Sequence, residues 1–341
     1  MPRLHHHPLS IGTKLLLSLP LLASLLHELP LYPILGPINV VLEVSRSASS
    51  LYIFWALAAT PFLLVAAIKS RSIHALLFAL GMLGALTLLI PPIAGLYRPQ
   101  PPAVPGHSVR LLYANVYGPN TNYQALRTLV EHHKPDLVAL LEAHEGWKNG
   151  LKLDELFPHR VELTRGYRDG KLIYSRYPLS PPELHRSKDA RSMVVQLQVQ
   201  RTPEDRFQFA LAHAPSPVSL ARLQWRSEFL PWAAGTVQDV EEPLVFALDM
   251  NSSPWTTDYE NFRSVLRGTD LATGFGYQAT WRPAAWVPFR VAIDHVWGKN
   301  GVQAERYEVL GDIGSDHLPL LVDLRIPGGL SASGRTTELV N

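Results

Sequence analysis

After residue 108, polar groups repeatedly mark the places where short apolar runs end. Asn115 closes "SVRLLYAN", Glu142 follows "LVALL", and His213 closes "FALAH". Asp249 and Asn251 end "VFALDMN", Asp294 and His295 lie in "VAIDHVW", and Ser315-Asp316-His317 precedes "LPLLVDL". This mixture of carboxylates, imidazoles and amides suits displacement at phosphorus. Such a reaction needs a cation over the non-bridging oxygens, a base that aims water in line, and donors that hold the trigonal-bipyramidal state. Each group alone is commonplace; Gly-Ser-Asp before a strand, for instance, is standard turn chemistry. Their value lies in their order and in whether one scaffold gathers them.

The runs themselves predict that scaffold. "SVRLLYANVY", "PDLVALLEA", "GKLIYS", "SMVVQLQVQ", "FQFALAHA", "PLVFALD", "VAIDHVW", "ERYEVLG" and "PLLVDLRI" read as strands. Helical spacing occurs in "NYQALRTLVEHH", capped by Asn122, in "VSLARLQWRSEFLPWAAGTVQ" and in "TDYENFRSVLRG". Many strands with few intervening helices predict two packed sheets flanked by helices.

Upstream the composition changes. Residues up to Leu96 hold five Lys or Arg and two Asp or Glu, out of 31 and 29 in the chain of 341. The remainder is therefore near neutral, which gives no support for a strongly basic nucleic-acid surface. Cysteine is absent, excluding disulfides and thiolate metal sites. Leu51 to Ile68 and Ala75 to Leu96 are uncharged runs of 18 and 22 residues, and about 20 apolar residues cross a bilayer core. An earlier run, within about 13–35, contains Pro20 and reads as a third span, a signal core or an interfacial segment; three spans are favoured. Residues 1–97 thus read as a membrane region, 98–107 as a Pro-rich linker, 108–327 as the catalytic domain and 328–341 as a disordered tail. Lys69 and Arg71 in the short loop between two runs predict that this loop is cytoplasmic and that the domain is extracytoplasmic, periplasmic or extracellular. His5 to His7 read as incidental.

The ordered set resembles the endonuclease/exonuclease/phosphatase superfamily, with its DNase I-like fold, in a membrane-anchored bacterial-type member. The resemblance covers about Ser108 to Ile326 and implies an α/β fold, a four-layer α/β/β/α sandwich. It implies Glu142 as main ligand of a divalent metal, Mg²⁺ with Mn²⁺ as the other candidate, supported by Asn115 and Asp316. It also implies Asp249 as the group that activates or orients the attacking water, Asn251 as a phosphate donor, His213 and His317 at the scissile phosphate, with activation of the nucleophile as the competing role of His317, and Asp294 as the partner of His317.

Some positions depart from the pattern. Leu248 stands where the superfamily usually has glycine, Tyr117 where abasic-site enzymes carry an Asp, and His213 where they carry Tyr. These differences lean away from abasic-site repair. His295 should face away from Asp294, since adjacent strand residues point to opposite faces. His144 and Glu145 read as a solvated loop, with extra metal ligands as the alternative, and Trp255 and Trp281 as stacking platforms or packing anchors. The expectation is a membrane-anchored, metal-dependent phosphoester hydrolase, a phosphodiesterase or nuclease-like enzyme. Its phosphoester substrate would be nucleic acid or phospholipid. A lipid head-group phosphodiesterase is the first alternative, and a non-catalytic binding protein on the same fold is the second.

Overall fold

The computed structural model describes residues 38–164, 170–188, 191–203, 205–282 and 290–328. The run within 13–35, His5 to His7, and the tail beyond residue 328 lie outside them. Among the described residues twelve strands build two six-stranded sheets. The first sheet has the order β11-β12-β1-β2-β4-β3, formed by Gln303–Val309, Leu320–Pro327, Gly106–Asn115, Leu137–Leu141, Lys171–Ser175 and His159–Leu163. The second has the order β5-β6-β7-β8-β10-β9, formed by Glu183–Arg186, Met193–Gln200, Arg206–His213, Leu244–Asp249, Asp294–Lys299 and Thr269–Asp270.

Period-2 alternation sorts each strand between two cores. Val109, Leu111 and Tyr113 of β1 meet Phe207, Phe209 and Leu211 of β7 and Val245 and Ala247 of β8 between the sheets. Leu112 and Ala114 face outward onto helices α5 (Tyr123–His133) and α6 (Glu145–Leu151), where Leu126, Val130 and Trp147 cover them. Phe246 and Leu248 face outward onto α7 (Leu220–Gly235) and α8 (Thr257–Leu266), under Phe229, Leu230 and Phe262. The result is the expected α/β/β/α sandwich. Leu248 is accommodated because its position faces those helices.

Before the sandwich come α1 (Ile38–Ser47), α2 (Ser49–Ser70), α3 (Ile73–Leu89) and the short α4 (Pro91–Ala94). By length and composition α2 can cross a membrane, and α3 with Pro91–Tyr97 qualifies as a pair bent by 45°. The break divides the run expected over 75–96. Pro91 and Pro92 have no N–H to continue the α3 ladder, and Leu96 beyond them is buried in the core between the sheets. The Pro-rich segment is likewise strapped to the domain. Gln100 Nε2 donates to Thr273 O at 2.7 Å and Val104 N to Gln303 Oε1 at 3.1 Å.

Phe209 has no exposed surface and lies between the sheets. Phe209→Ala should destabilise the domain by about 3–5 kcal/mol, read as a lowered midpoint of thermal or denaturant unfolding.

Candidate active site

The inner apolar rows do not stop at apolar residues. On β1 the row Val109, Leu111, Tyr113 continues to Asn115; on β7 Phe207, Phe209, Leu211 continues to His213. On β8 Val245 and Ala247 lead to Asp249, and on antiparallel β10 Val296 is preceded by Asp294. Register brings the ends together, since His213 is paired with Asp249 and Asp249 with Asp294. Side chains that would have been core thus become a polar floor at one end of the sandwich.

The contacts within that floor are close. Asn115 Nδ2 donates to Asp249 Oδ2 at 3.0 Å and to Glu142 Oε1 at 3.2 Å. This double donation fixes the amide orientation, and Asn115 Oδ1 accepts from Tyr117 N at 3.0 Å. His213 Nε2 lies 3.4 Å from Asp249 Oδ2 and 3.8 Å from Glu142 Oε1. Asn251 N donates to Asp249 Oδ1 at 2.9 Å, while its Nδ2 donates to Ala214 O at 3.0 Å and stands 3.5 Å from His213 Nε2. His317 enters from the loop before β12, with Nδ1 2.7 Å from Asp294 Oδ2 and Nε2 3.8 Å from Asp249 Oδ2. Ser315 anchors that loop, donating from Oγ to Asn115 O at 2.9 Å and accepting from His317 N at 3.1 Å. Gly314, at φ 84°, supplies the left-handed turn into it.

Burial and charge drive the two aspartates apart. Burial, reinforced by the Asp294 charge, raises the Asp249 pKa. Asp294 is equally buried, but the His317 charge and the bonds from His317 and Thr280 hold it below the usual carboxylate value. Burial works against a charge on His317, yet Asp294 and Asp249 outweigh it and push its pKa up to about 10. His317 is therefore an imidazolium at neutral pH, with Nδ1 donating to Asp294 and Nε2 a donor beside Asp249. Such a group stabilises negative charge and cannot take a proton from water. Asp249 has the pKa direction expected of a base.

Glu142 and Asn251 have φ of 56° and 48°. Asn tolerates this left-handed region, whereas for Glu it is strained. Glu142 Oε2 accepts from Gly118 N at 3.1 Å, and its carboxylate edge remains partly open beside His213. Asp316 Oδ2 accepts from the Trp281 indole at 3.0 Å, but its buried Oδ1 has no hydrogen-bond partner among the described residues. An open carboxylate and an orphaned buried carboxylate oxygen fit a hard cation. Asp249, Asp294 and His317 also present donor atoms within 4.8 Å of one another. Asp294 is nevertheless a poor ligand, because Oδ2 already accepts from Thr280 Oγ1 at 2.5 Å and from His317, and Oδ1 from Tyr113 at 3.3 Å.

Several residues take other places. His295 points outward, bonded to Asp270 Oδ2 at 2.8 Å and Ser252 O at 3.2 Å, as alternation predicts. His144 caps α6, accepting from Gly146 N at 2.9 Å, rather than lying in a solvated loop. Trp255 is buried, with Nε1 donating to Leu89 O at 2.7 Å. Trp281 is bound to Asp316. Sequence reasoning passed over Thr280 and Tyr113, which saturate Asp294; neither lies in a motif, so only the folded contacts reveal them.

The family model described as the endonuclease/exonuclease/phosphatase family matches residues 112–317. The chain belongs to that family. Solved structures agree in fold. TDP2 of D. rerio, complexed with single strand DNA product, is 17% identical at a TM-score of 0.55, covering 64% of this chain and 99% of that one. The endonuclease/exonuclease/phosphatase from Bacteroides vulgatus is 16% identical at 0.53, over 64% and 99%. The human Nocturnin catalytic domain with bound sulfate anion is 15% identical at 0.52, over 66% and 96%. No curated protein matches the chain. Membership supports a phosphoesterase, in keeping with the chemistry of its polar floor.

Asp294→Asn removes one member of a buried ion pair and should cost about 3–5 kcal/mol. The His317 contribution to stability is full below pH 6.5 and is lost as pH rises through about 10, because its folded pKa is raised. The Asp294 contribution is present above pH 3.8 and is lost as pH falls below it, because its folded pKa is lowered. Unfolding midpoints measured from acid to alkaline pH should show both limbs in the parent chain and flatten in Asp294→Asn.

Proposed function

We propose that this family member is a membrane-anchored, divalent-metal-dependent phosphodiesterase whose catalytic domain, residues 108–327, acts outside the cytoplasm. The observation that carries the reading is the convergence of Asn115, Glu142, His213, Asp249, Asn251, Asp294 and His317 on one polar floor. Glu142 and Asp316 would hold Mg²⁺ or Mn²⁺, with Asn115 orienting the Glu142 carboxylate. A cation there supplies charge neutralisation at the phosphate oxygens. Asp249 orients water and accepts its proton. His317 donates from Nε2 to the charge that grows on the phosphoryl oxygens, while Asp294 keeps its Nδ1 occupied. His213 and Asn251 flank the phosphate from the other side.

Anchoring is supported by surface polarity. On α2, Phe54, Phe62 and Ile68 are 64%, 78% and 78% exposed, and a helix apolar all round belongs in a protein core or a bilayer. On α1 the polarity is inverted. Glu43 and Arg46 are buried against the domain, whereas Val41 and Val44 are 63% and 54% exposed, an arrangement that suits lipid on the outer side. Lys69 and Arg71 favour a cytoplasmic loop between α2 and α3. A second reading, hydrolysis of a phospholipid head group, rests on the Trp255 bond to Leu89 O, which joins the end of α3 to the segment following Asn251.

Full-length protein in nanodiscs, tested with Mg²⁺ or Mn²⁺ on plasmid DNA, RNA, a chromogenic phosphodiester and phospholipid vesicles, should hydrolyse at least one of them. EDTA should abolish the rate, and Glu142→Ala and His317→Ala should each lower it by about 10²-fold or more. Preference for vesicles selects the lipid reading, and unchanged rates in both variants would exclude this site. Because the chain has no cysteine, Arg206→Cys on the exposed start of β7 reports topology. It should react with a membrane-impermeant maleimide on intact cells, and labelling only after lysis would reverse the orientation.

A further inference from the structure

Arg226 in α7 has no exposed surface. Its guanidinium is shared among three distant parts of the chain. Nε donates to Asp258 Oδ2 at 2.9 Å in α8, Nη2 donates to Glu43 Oε1 at 2.5 Å in α1, and Nη1 donates to the carbonyl oxygen of Asn251. Ser227 Oγ adds a second donor to Asp258 Oδ2 at 2.9 Å. Glu43 and Asp258 balance Arg226 and the neighbouring buried Arg46.

A buried ionic cluster gains little over well-packed apolar side chains of the same volume. What Arg226 supplies, and an apolar residue cannot, is a rigid donor fork that fixes the Asn251 carbonyl. Asn251 is left-handed at φ 48°, a conformation Asn tolerates, and the guanidinium bond to its carbonyl holds the turn after Asp249 from outside. The next carbonyl, that of Ser252, lies 3.2 Å from His295 Nε2, and His295 is itself held by Asp270. Two buried charge-bearing side chains therefore secure consecutive carbonyls of one turn. One of them is set in place by a glutamate 183 residues earlier in the chain.

We infer that Glu43 and Arg226 are positioning residues for the Asp249-Met250-Asn251 turn, which makes the helix before the membrane hairpin part of the active-site scaffold. Neutralising Glu43 leaves the guanidinium drawn toward Asp258 alone and loosens its bond to Asn251. The catalytic consequence rests on the proposed function; the structural coupling does not.

Two readouts on full-length protein in nanodiscs separate these. The variants are Glu43→Gln, which keeps shape and removes charge, Arg226→Lys, which keeps charge and removes the fork, and Arg263→Ala, which breaks an exposed pair with Glu260 as a control. Hydrogen exchange followed by mass spectrometry should show the amides of 250–256 exchanging about tenfold faster in the first two variants and unchanged in the control. On the substrate found in the hydrolysis panel, kcat should fall by about tenfold with KM within about twofold, as expected when ground-state binding is kept. Faster exchange confined to α1 and α7, or a kcat unchanged beside faster exchange of the turn, would overturn positioning. If no panel substrate is hydrolysed, exchange decides alone: acceleration at 250–256 supports the coupling and its absence refutes it. Should Glu43→Gln not fold, Glu43→Asp retracts the carboxylate by one methylene and is read in the same way.

Discussion

Two carboxylates, Asp249 and Asp294, are fully buried side by side at the end of a dry core, and the rest of the site is arranged to make that tolerable. Burying an unpaired carboxylate costs far more than a domain can spare. Each therefore receives several donors: Asn115 and the Asn251 amide at Asp249, and His317, Thr280 and Tyr113 at Asp294. These partners come from β1, from the turn after β8, and from the loops before β10 and β12, so both sheets and their register must form first. A one-residue slip of β8 against β10 would turn Asp249 toward α7 and α8. The sandwich can thus be understood as the frame that holds one pair of charges in mutual compensation.

Compensation is incomplete toward the opening. Glu142 adds a carboxylate beside His213, 3.8 Å from its Nε2, and Asp316 adds one next to His317. The proposed cation would neutralise carboxylates at this end of the sandwich. The strain at Glu142 agrees with this view. A left-handed backbone at a glutamate is kept only when the surroundings over-determine it, and here the carboxylate is held by the Asn115 side chain and the Gly118 amide.

Much of this was legible in the sequence because the central strands alternate cleanly and carry their polar residue at the end. The same alternation placed His295 on the outer face. Of the four edge strands only β11 was legible, as "ERYEVLG". "HRVEL" of β3 and "ELHR" of β5 carry charged side chains on half-exposed edges, and β9 has only two residues. Helix α1 escaped notice because Glu43 and Arg46 interrupt its apolar pattern; the partner of Glu43, Arg226, is 183 residues away. Thr280, Tyr113 and Arg226 belong to no local motif, since tertiary contacts alone give them their roles. The run over 75–96 read as one span because hydropathy does not register the two prolines that stop α3 or the core that takes in Leu96.

The domain and the segments that precede it meet at defined bonds, from Trp255 to Leu89, Arg226 to Glu43 and Gly274 to Leu96, instead of through a free tether. That ties the orientation of the polar floor to the orientation of α2 and α3. The central claim is that Asp294, Asp249 and His317 form one ionised unit. Its most direct test is ¹⁵N NMR of the histidine side chains in the full chain, with His317→Gln to assign the signal. The account predicts an imidazolium, protonated at both ring nitrogens, that persists from pH 7 until its loss near about pH 10. A neutral His317 ring at pH 7 would contradict it.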